Sequence, residues 1–140
     1  MVERKATVER KTRETDVSLV LNVDGKGLCN VDTGIPFMDH MLNLMAAHGF
    51  MDLHLSAKGD TKIDDHHTVE DLGICMGEAL RLALGKREGI RRYGLAVIPM
   101  DEALARVAID ISNRPFLAYR VSLKEHKTGQ FDVGLIREFF

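Results

Sequence analysis

The chain has 140 residues, enough for one ordinary domain or two small halves sharing a core, and too few for two independent domains of usual size. Its 45% hydrophobic and 29% charged residues exclude a disordered chain, and no apolar run is long enough to span a bilayer. A net charge of −2 gives no positive excess to argue for nucleic acid. Cys29 and Cys75 sit in unrelated contexts and form neither a CxxC pair nor a disulfide framework, which fits reduced thiols in a cytoplasmic protein. The opening MVERKATVERKTRET has no apolar centre to make a signal peptide.

Alternation from Thr7 to Arg13 and from Val17 to Val23 predicts two strands, with a turn beyond them at Asp24-Gly25-Lys26-Gly27. With Leu28 to Val31 these segments read as an antiparallel meander. After Thr33-Gly34-Ile35-Pro36 the period changes: Phe37, Met41, Leu44, Met45 and His48 fall three or four apart, as on one face of a helix that stops at Gly49. A short strand from Asp52 to Ala57 puts Leu53 and Leu55 on one side and His54 on the other. Asp64 or Asp65 then caps a long helix striped by Val69, Leu72, Met76, Ala79, Leu80 and Ala83 and ending at Gly85.

After Gly89 the order begins again, with strands expected at Gly94 to Met100, Leu104 to Ser112 and Phe116 to Leu123. Phe131 to Phe140 reads as the start of a helix with Val133, Ile136 and Phe140 along one side. The first half is therefore βββ, helix, β, helix, and the second is βββ, helix, as in a duplicated unit whose second copy lacks its last strand and helix. Residues 1–90 form the first half-repeat and 91–140 the second. An apolar end at Glu138-Phe139-Phe140 leaves a hydrophobic face uncovered, so the chain is expected to be part of a longer one, by roughly 30 to 50 residues at average element lengths.

The stretch DDHHTVED packs two histidines and four carboxylates into eight positions. On a helix, His66 and Glu70 are four apart and His67 and Glu70 three apart, so each imidazole can share a face with the carboxylate. Adjacent histidines diverge by about 100° around the axis, so they can serve two metal ions. Imidazole with carboxylate suits manganese, iron or zinc, and Asp71 is a candidate to orient a ligand ring. Asp39-His40 and His48 on the earlier helix add donors, although His48 is equally an inner-stripe residue or a C-terminal cation. His54 and His126 read as surface residues. The HExxH order of the zinc peptidases is absent. Arg91, Arg92 and Arg114 are candidate forks for a phosphate. Glu14 and the PMDEAL segment read on their own as solvated turn acids.

Taken together, VERKTRET, VDGKG, DTGIPFMDHML, KGDTKIDDHHTVEDLGI, ALGKREGIRRYG, PMDEALARVAIDISNRPF and REFF, in this order, resemble the imidazoleglycerol-phosphate dehydratase family along the whole chain. The resemblance implies an α+β fold of two similar halves, each a four-stranded sheet backed by helices, of the ribosomal protein S5 domain 2-like kind, with the second half incomplete here. It implies a site of two manganese ions at subunit contacts in a twenty-four-subunit shell. Position by position, His40, His66, His67 and Glu70 match metal ligands, Glu14 matches the acid–base glutamate, and Arg92 and Arg114 match residues that grip the substrate phosphate. The second HHxxE of the family falls beyond Phe140. Glu138 stands where some members have a ligand histidine, and Leu44 where some have a substrate-contacting glutamine.

The implied reaction suits these residue types. The hydrogen to be lost is on a carbon with no adjacent carbonyl, so charge stabilisation on the imidazole ring must accompany proton transfer by a carboxylate such as Glu14. The expected function is a metal-dependent dehydratase of histidine biosynthesis, converting imidazole glycerol phosphate to imidazole acetol phosphate. Two alternatives use the same residues: a metal-dependent hydrolase of a small phosphate ester, and a catalytically silent metal-binding or assembly module.

Overall fold

In the computed structural model, which describes residues 3–140, the first alternating segments become β1 (Lys5–Lys11) and β2 (Thr15–Asn22). They pair antiparallel from Lys5↔Asn22 to Lys11↔Asp16 around a tip at residues 12–14. Strand β4 (Asp52–Gly59) lies antiparallel on the other side of β2, and their register sets Val17 opposite Ala57, Leu19 opposite Leu55 and Leu21 opposite Leu53. All six side chains are buried, whereas Asp16, Ser18, His54, Ser56 and Lys58 on the opposite face are exposed. The period of two thus yields a sheet with one apolar face.

The expected meander does not form. Strand β3 (Cys29–Asp32) pairs parallel with β4, and the sheet order is β1-β2-β4-β3. Parallel neighbours need a crossover, which helix α1 (Pro36–Gly49) supplies between β3 and β4. The loop before β3 runs over the start of β4, where Asp52 Oδ1 accepts hydrogen bonds from the backbone N–H groups of Lys26 (2.8 Å) and Leu28 (2.9 Å). A Cβ at Gly25 would lie 2.3 Å from the backbone nitrogen of Asp52, so only glycine permits this approach. Burial decides the order: β4 buries Leu53, Leu55 and Ala57 and takes the central place, while β3 is only half-buried and takes the edge.

Helices α1 and α2 (His66–Leu84) bring apolar stripes to this core. On α1 the buried stripe is Met38, Leu42 and Ala46, about one residue out of phase with the expected one; Met41 and Leu44 are exposed, as is His48. Both sets have helical spacing, so the sequence contains two apolar stripes and cannot rank them. On α2, Val69, Leu72, Ala79 and Ala83 are buried as expected, Leu80 is exposed, and Thr68, Asp71 and Cys75 are buried instead.

Tyr119–Phe140 clusters with the residues up to Gly85, and Lys86–Ala118 forms a separate compact unit. The expected helix from Phe131 is shorter: Phe131–Asp132 (β8) pairs with Lys127–Thr128 (β7), and α3 spans only Leu135–Phe139. Phe131 is buried with its ring 4.7 Å from that of Phe37. The helix face expected to be uncovered is partly covered, since Leu135, Ile136 and Phe139 pack on the core. Gly73 of α2 makes room for α3, because a Cβ there would meet the Phe139 carbonyl at 2.1 Å.

The separate unit is a hairpin of β5 (Tyr93–Met100) and β6 (Ala103–Asp110), exposed on both faces. The strand expected at Phe116 to Leu123 is absent: residues 114–123 carry no regular structure. Strand β3 owes its conformation to hydrogen bonds with β4, and the described residues give 116–123 no such neighbour. Among the described residues no helix is long and apolar enough to cross a membrane.

Candidate active site

The histidine-rich stretch spans the loop after β4 and the first turn of α2. Asp64 Oδ1 accepts a hydrogen bond from the backbone N–H of His66 at 2.8 Å, which ties the loop to the helix start. The rings of His66 and His67 stand edge-to-face, 5.8 Å apart at 90°, as divergence of adjacent residues around a helix requires. His67 Nδ1 lies 3.0 Å from Asp60 Oδ2. That hydrogen bond raises the His67 imidazole above its ordinary range, and the charges of Asp60, Glu14 and Asp64 push the same way against some desolvation. Partial burial, followed by the like charge of Asp64, holds the Asp65 carboxyl above its usual value. Asp60 Oδ1 is buried with no hydrogen-bond partner among the described residues.

Glu14 stands exposed at the β1–β2 tip and lies within electrostatic reach of His67. Its backbone N–H donates to Thr12 Oγ1 at 3.1 Å, as does that of Thr15 at 2.9 Å. The Thr15 hydroxyl donates to Asp71, whose other oxygen accepts from Arg10 Nε at 2.7 Å. The Arg10 guanidinium is raised chiefly by this hydrogen bond to Asp71, with a smaller contribution from the charge of Glu70, which places Glu70 nearby. Asp71 therefore faces the sheet and does not orient a histidine ring; Asp60 takes that part for His67.

His40 is exposed on α1, just past its first turn. Its neighbour Asp39 is used structurally, its Oδ1 accepting hydrogen bonds from Thr33 N (2.8 Å) and Thr33 Oγ1 (2.6 Å). His66, His67 and Glu70 share one helix, but among the described residues no group of three or more His, Cys, Asp or Glu is close enough to hold one ion. Cys75 is buried, and burial raises its thiol, so it stays protonated and inert at neutral pH.

In the separate unit, Arg92 grips Asp110 through Nε (2.7 Å) and Nη2 (3.2 Å), with its guanidinium 4.9 Å from the Tyr93 ring centre. The Asp110 carboxyl is lowered first by the hydrogen bond from Arg92 and further by the charges of Arg92 and Arg114. Among the described residues only Arg92 contacts this carboxylate; Arg114 acts on it by charge alone. Sequence reading missed three residues that organise these sites. Asp60 is seven residues before His67 across an irregular loop, Thr15 is a strand residue, and Asp110 closes a hairpin; none is marked by helical spacing to the residue it holds.

The model of the family described as imidazoleglycerol-phosphate dehydratase matches residues 33–140. The chain is 58% identical over 139 residues to the imidazoleglycerol-phosphate dehydratase of Geobacter sulfurreducens, covering 99% of this chain and 71% of the relative. The chain belongs to the imidazoleglycerol-phosphate dehydratase family. The imidazoleglycerol-phosphate dehydratase of Halalkalibacterium halodurans is 57% identical over 136 residues, 97% of this chain and 70% of that protein. Among solved structures, the imidazoleglycerol-phosphate dehydratase of Staphylococcus aureus is similar with a TM-score of 0.84 at 37% identity, covering 96% of this chain and 74% of that one. A structure from Pyrococcus furiosus gives a TM-score of 0.78 at 36% identity, covering 94% and 69%. The imidazoleglycerol-phosphate dehydratase family model takes in His40, the α2 histidines, Arg92 and Arg114, while Glu14 precedes it and is reached by the longer alignments.

Proposed function

We propose that this chain is a hydro-lyase of histidine biosynthesis that converts imidazole glycerol phosphate to imidazole acetol phosphate. Family membership carries the reaction, since a 58% identical relative aligned over 99% of the chain bears the dehydratase name. Glu14 is the acid–base group, His40, His66, His67 and Glu70 are metal ligands, and Arg92 and Arg114 hold the substrate phosphate.

The donor set fits manganese, at two ions per site. It offers imidazoles and a carboxylate without thiolate, and His67 has Nδ1 held by Asp60, which leaves Nε2 for an ion in the arrangement of ligating histidines. When bound, such ions stabilise negative charge on the substrate's imidazole ring. Glu14 takes the proton from the carbon beside the one that loses its hydroxyl; the C–O bond breaks, the hydroxyl takes the proton held by Glu14 and leaves as water, and the enol becomes the ketone as its O–H proton passes to the carbon that lost the hydroxyl. Its exposed position at a hairpin tip gives substrate access, and the effect of its charge on His67 supports a place on the side of the molecule that bears the ligands. Arg92 meets a phosphate through Nη1 or by exchanging Asp110 for it, since Nε and Nη2 are engaged.

The same proposal includes a symmetric homo-oligomer of twenty-four subunits in the cytoplasm, with ligands drawn from more than one subunit; exposed His40, His67 and Glu70 suit donation across a contact. It also includes the duplication into half-repeats 1–90 and 91–140 of the S5 domain 2-like kind, which the two antiparallel hairpins with acidic tips support.

The test is turnover and bound-metal analysis after chelation and after return of manganese. Activity lost with the metal and restored best by manganese is expected. Full turnover by a metal-free sample would remove the metal from the mechanism, and metal binding without turnover would favour the assembly module.

A further inference from the structure

Asp71 is a carboxylate 6% exposed to solvent that the proposed mechanism does not use. It follows Glu70 on α2, and a step of about 100° around the helix separates them. Glu70 is exposed, and Asp71 turns inward to the β1–β2 hairpin. There the carboxylate accepts hydrogen bonds from Thr15 Oγ1 and from Arg10 Nε, one donor from each strand. The Thr15 hydroxyl also lies 3.1 Å from that of Thr12, whose oxygen accepts the backbone N–H groups of Glu14 and Thr15. A continuous hydrogen-bonded path therefore runs from the helix that bears His66, His67 and Glu70 to the backbone of Glu14.

We propose that Asp71 is a positioning residue: with Thr15 and Arg10 it anchors the Glu14 turn to helix α2 and fixes the acid–base carboxylate relative to the histidines of that helix. The inference rests on the reading of Glu14 given above. Burial of a carboxylate against a strand hairpin is an expensive way to gain stability, because well-packed apolar side chains of similar volume serve at least as well. What the carboxylate adds is direction, since two donors must meet two oxygens. The turn itself carries no buried apolar side chain between Lys11 and Thr15 that would otherwise hold it in place. Misplacement of a reacting group by about 1 Å can cost on the order of a hundredfold in rate.

The test is a mutant cycle in the assembled, metal-loaded protein, using Thr15→Val, Thr15→Ser and Glu14→Gln. Thr15→Val keeps the shape and removes the donor to Asp71; Thr15→Ser restores it. We expect Thr15→Val to lower kcat by about tenfold or more with KM and bound metal unchanged, and Thr15→Ser to recover most of the loss. Added to Glu14→Gln, Thr15→Val should lower kcat by no more than about twofold, because a misplaced group that is already inactive costs nothing further. An unchanged kcat in Thr15→Val, an equal loss in both backgrounds, or a loss accompanied by lost metal would each overturn the anchor. Near-normal turnover by Glu14→Gln alone would instead overturn the role of Glu14, and the anchor with it. Should Thr15→Val fail to assemble, Arg10→Met removes the other donor from a half-exposed position at similar length, Arg10→Gln restores an N–H where Nε stood, and the pair is read by the same cycle and the same outcomes.

Discussion

The chain contains two antiparallel hairpins of similar build and opposite fate. In β1–β2, Val17, Leu19 and Leu21 are at most 1% exposed, while in β5–β6, Leu104, Val107 and Ile109 are 67%, 53% and 57% exposed. Both pair along their full length, and both carry acids at the tip, Glu14 in one and Asp101 and Glu102 in the other. The difference is what lies against them. Strand β2 has β4 beside it and α2 across its apolar face, whereas among the described residues β6 pairs only with β5. Pairing is a local property of alternating sequence, but burial, and with it the fixing of a tip side chain, comes from neighbours distant in sequence.

The sharpest way to break this comparison is to empty matching positions. Leu19→Ala should cost about 2–5 kcal/mol by urea unfolding, as for a fully buried leucine, while Ile109→Ala in this 140-residue chain should stay within about 0.5 kcal/mol. Equal losses would show that the second hairpin is as well covered as the first. At the first tip, Glu14→Gln should lower turnover by roughly a hundredfold with metal content unchanged, the scale of a lost general acid–base group. In the second hairpin, Arg92→Ala should act on binding, raising KM about tenfold with little change in kcat, as for loss of one charge-assisted contact to phosphate. A fall in kcat alone would move Arg92 from the phosphate to the reacting atoms.

The smallest effect belongs to an exposed ion pair beside the first hairpin. Arg4 Nη2 reaches Asp24 Oδ1 at 2.5 Å, and the hydrogen bonds from Arg4 hold the Asp24 carboxyl down at about 2 against an ordinary 3.8. A depressed folded value means that the contribution is complete above about pH 4 and fades as pH falls towards 2. The melting temperature of Asp24→Asn should therefore lie slightly below that of the parent at neutral pH and converge with it over that window. A gap that persists at pH 2 would assign the effect to something other than ionisation of Asp24.

What could be read from sequence follows the same division. Period-two runs marked β1, β2, β4, β5 and β6, and the caps around Gly49 and Gly85 marked where α1 and α2 end, because these signals are local. The place of β3 was not legible, since its partner is separated from it by a helix, and neither was the phase of α1, whose Phe37–Met41 and Met38–Leu42–Ala46 stripes are both apolar. The same holds for the site. The HHxxE spacing put His66, His67 and Glu70 on one helix, residue type made His40 a candidate donor and Arg91, Arg92 and Arg114 candidate forks, and family likeness selected His40, Arg92 and Arg114 among these and added Glu14. Of the residues that hold them, Asp60, Thr15 and Asp110 come from loop and strand positions that only the folded chain brings near, while Asp71 of α2 is marked by sequence but turns to Thr15 and Arg10 rather than to a histidine.

The central claim is that this chain removes water from imidazole glycerol phosphate, and the most direct measurement is mass analysis of the product formed by the manganese-loaded protein. We predict a ketone that has lost one water and kept its phosphate. Release of inorganic phosphate with the diol left intact would contradict the dehydration and return the site to phosphate-ester hydrolysis.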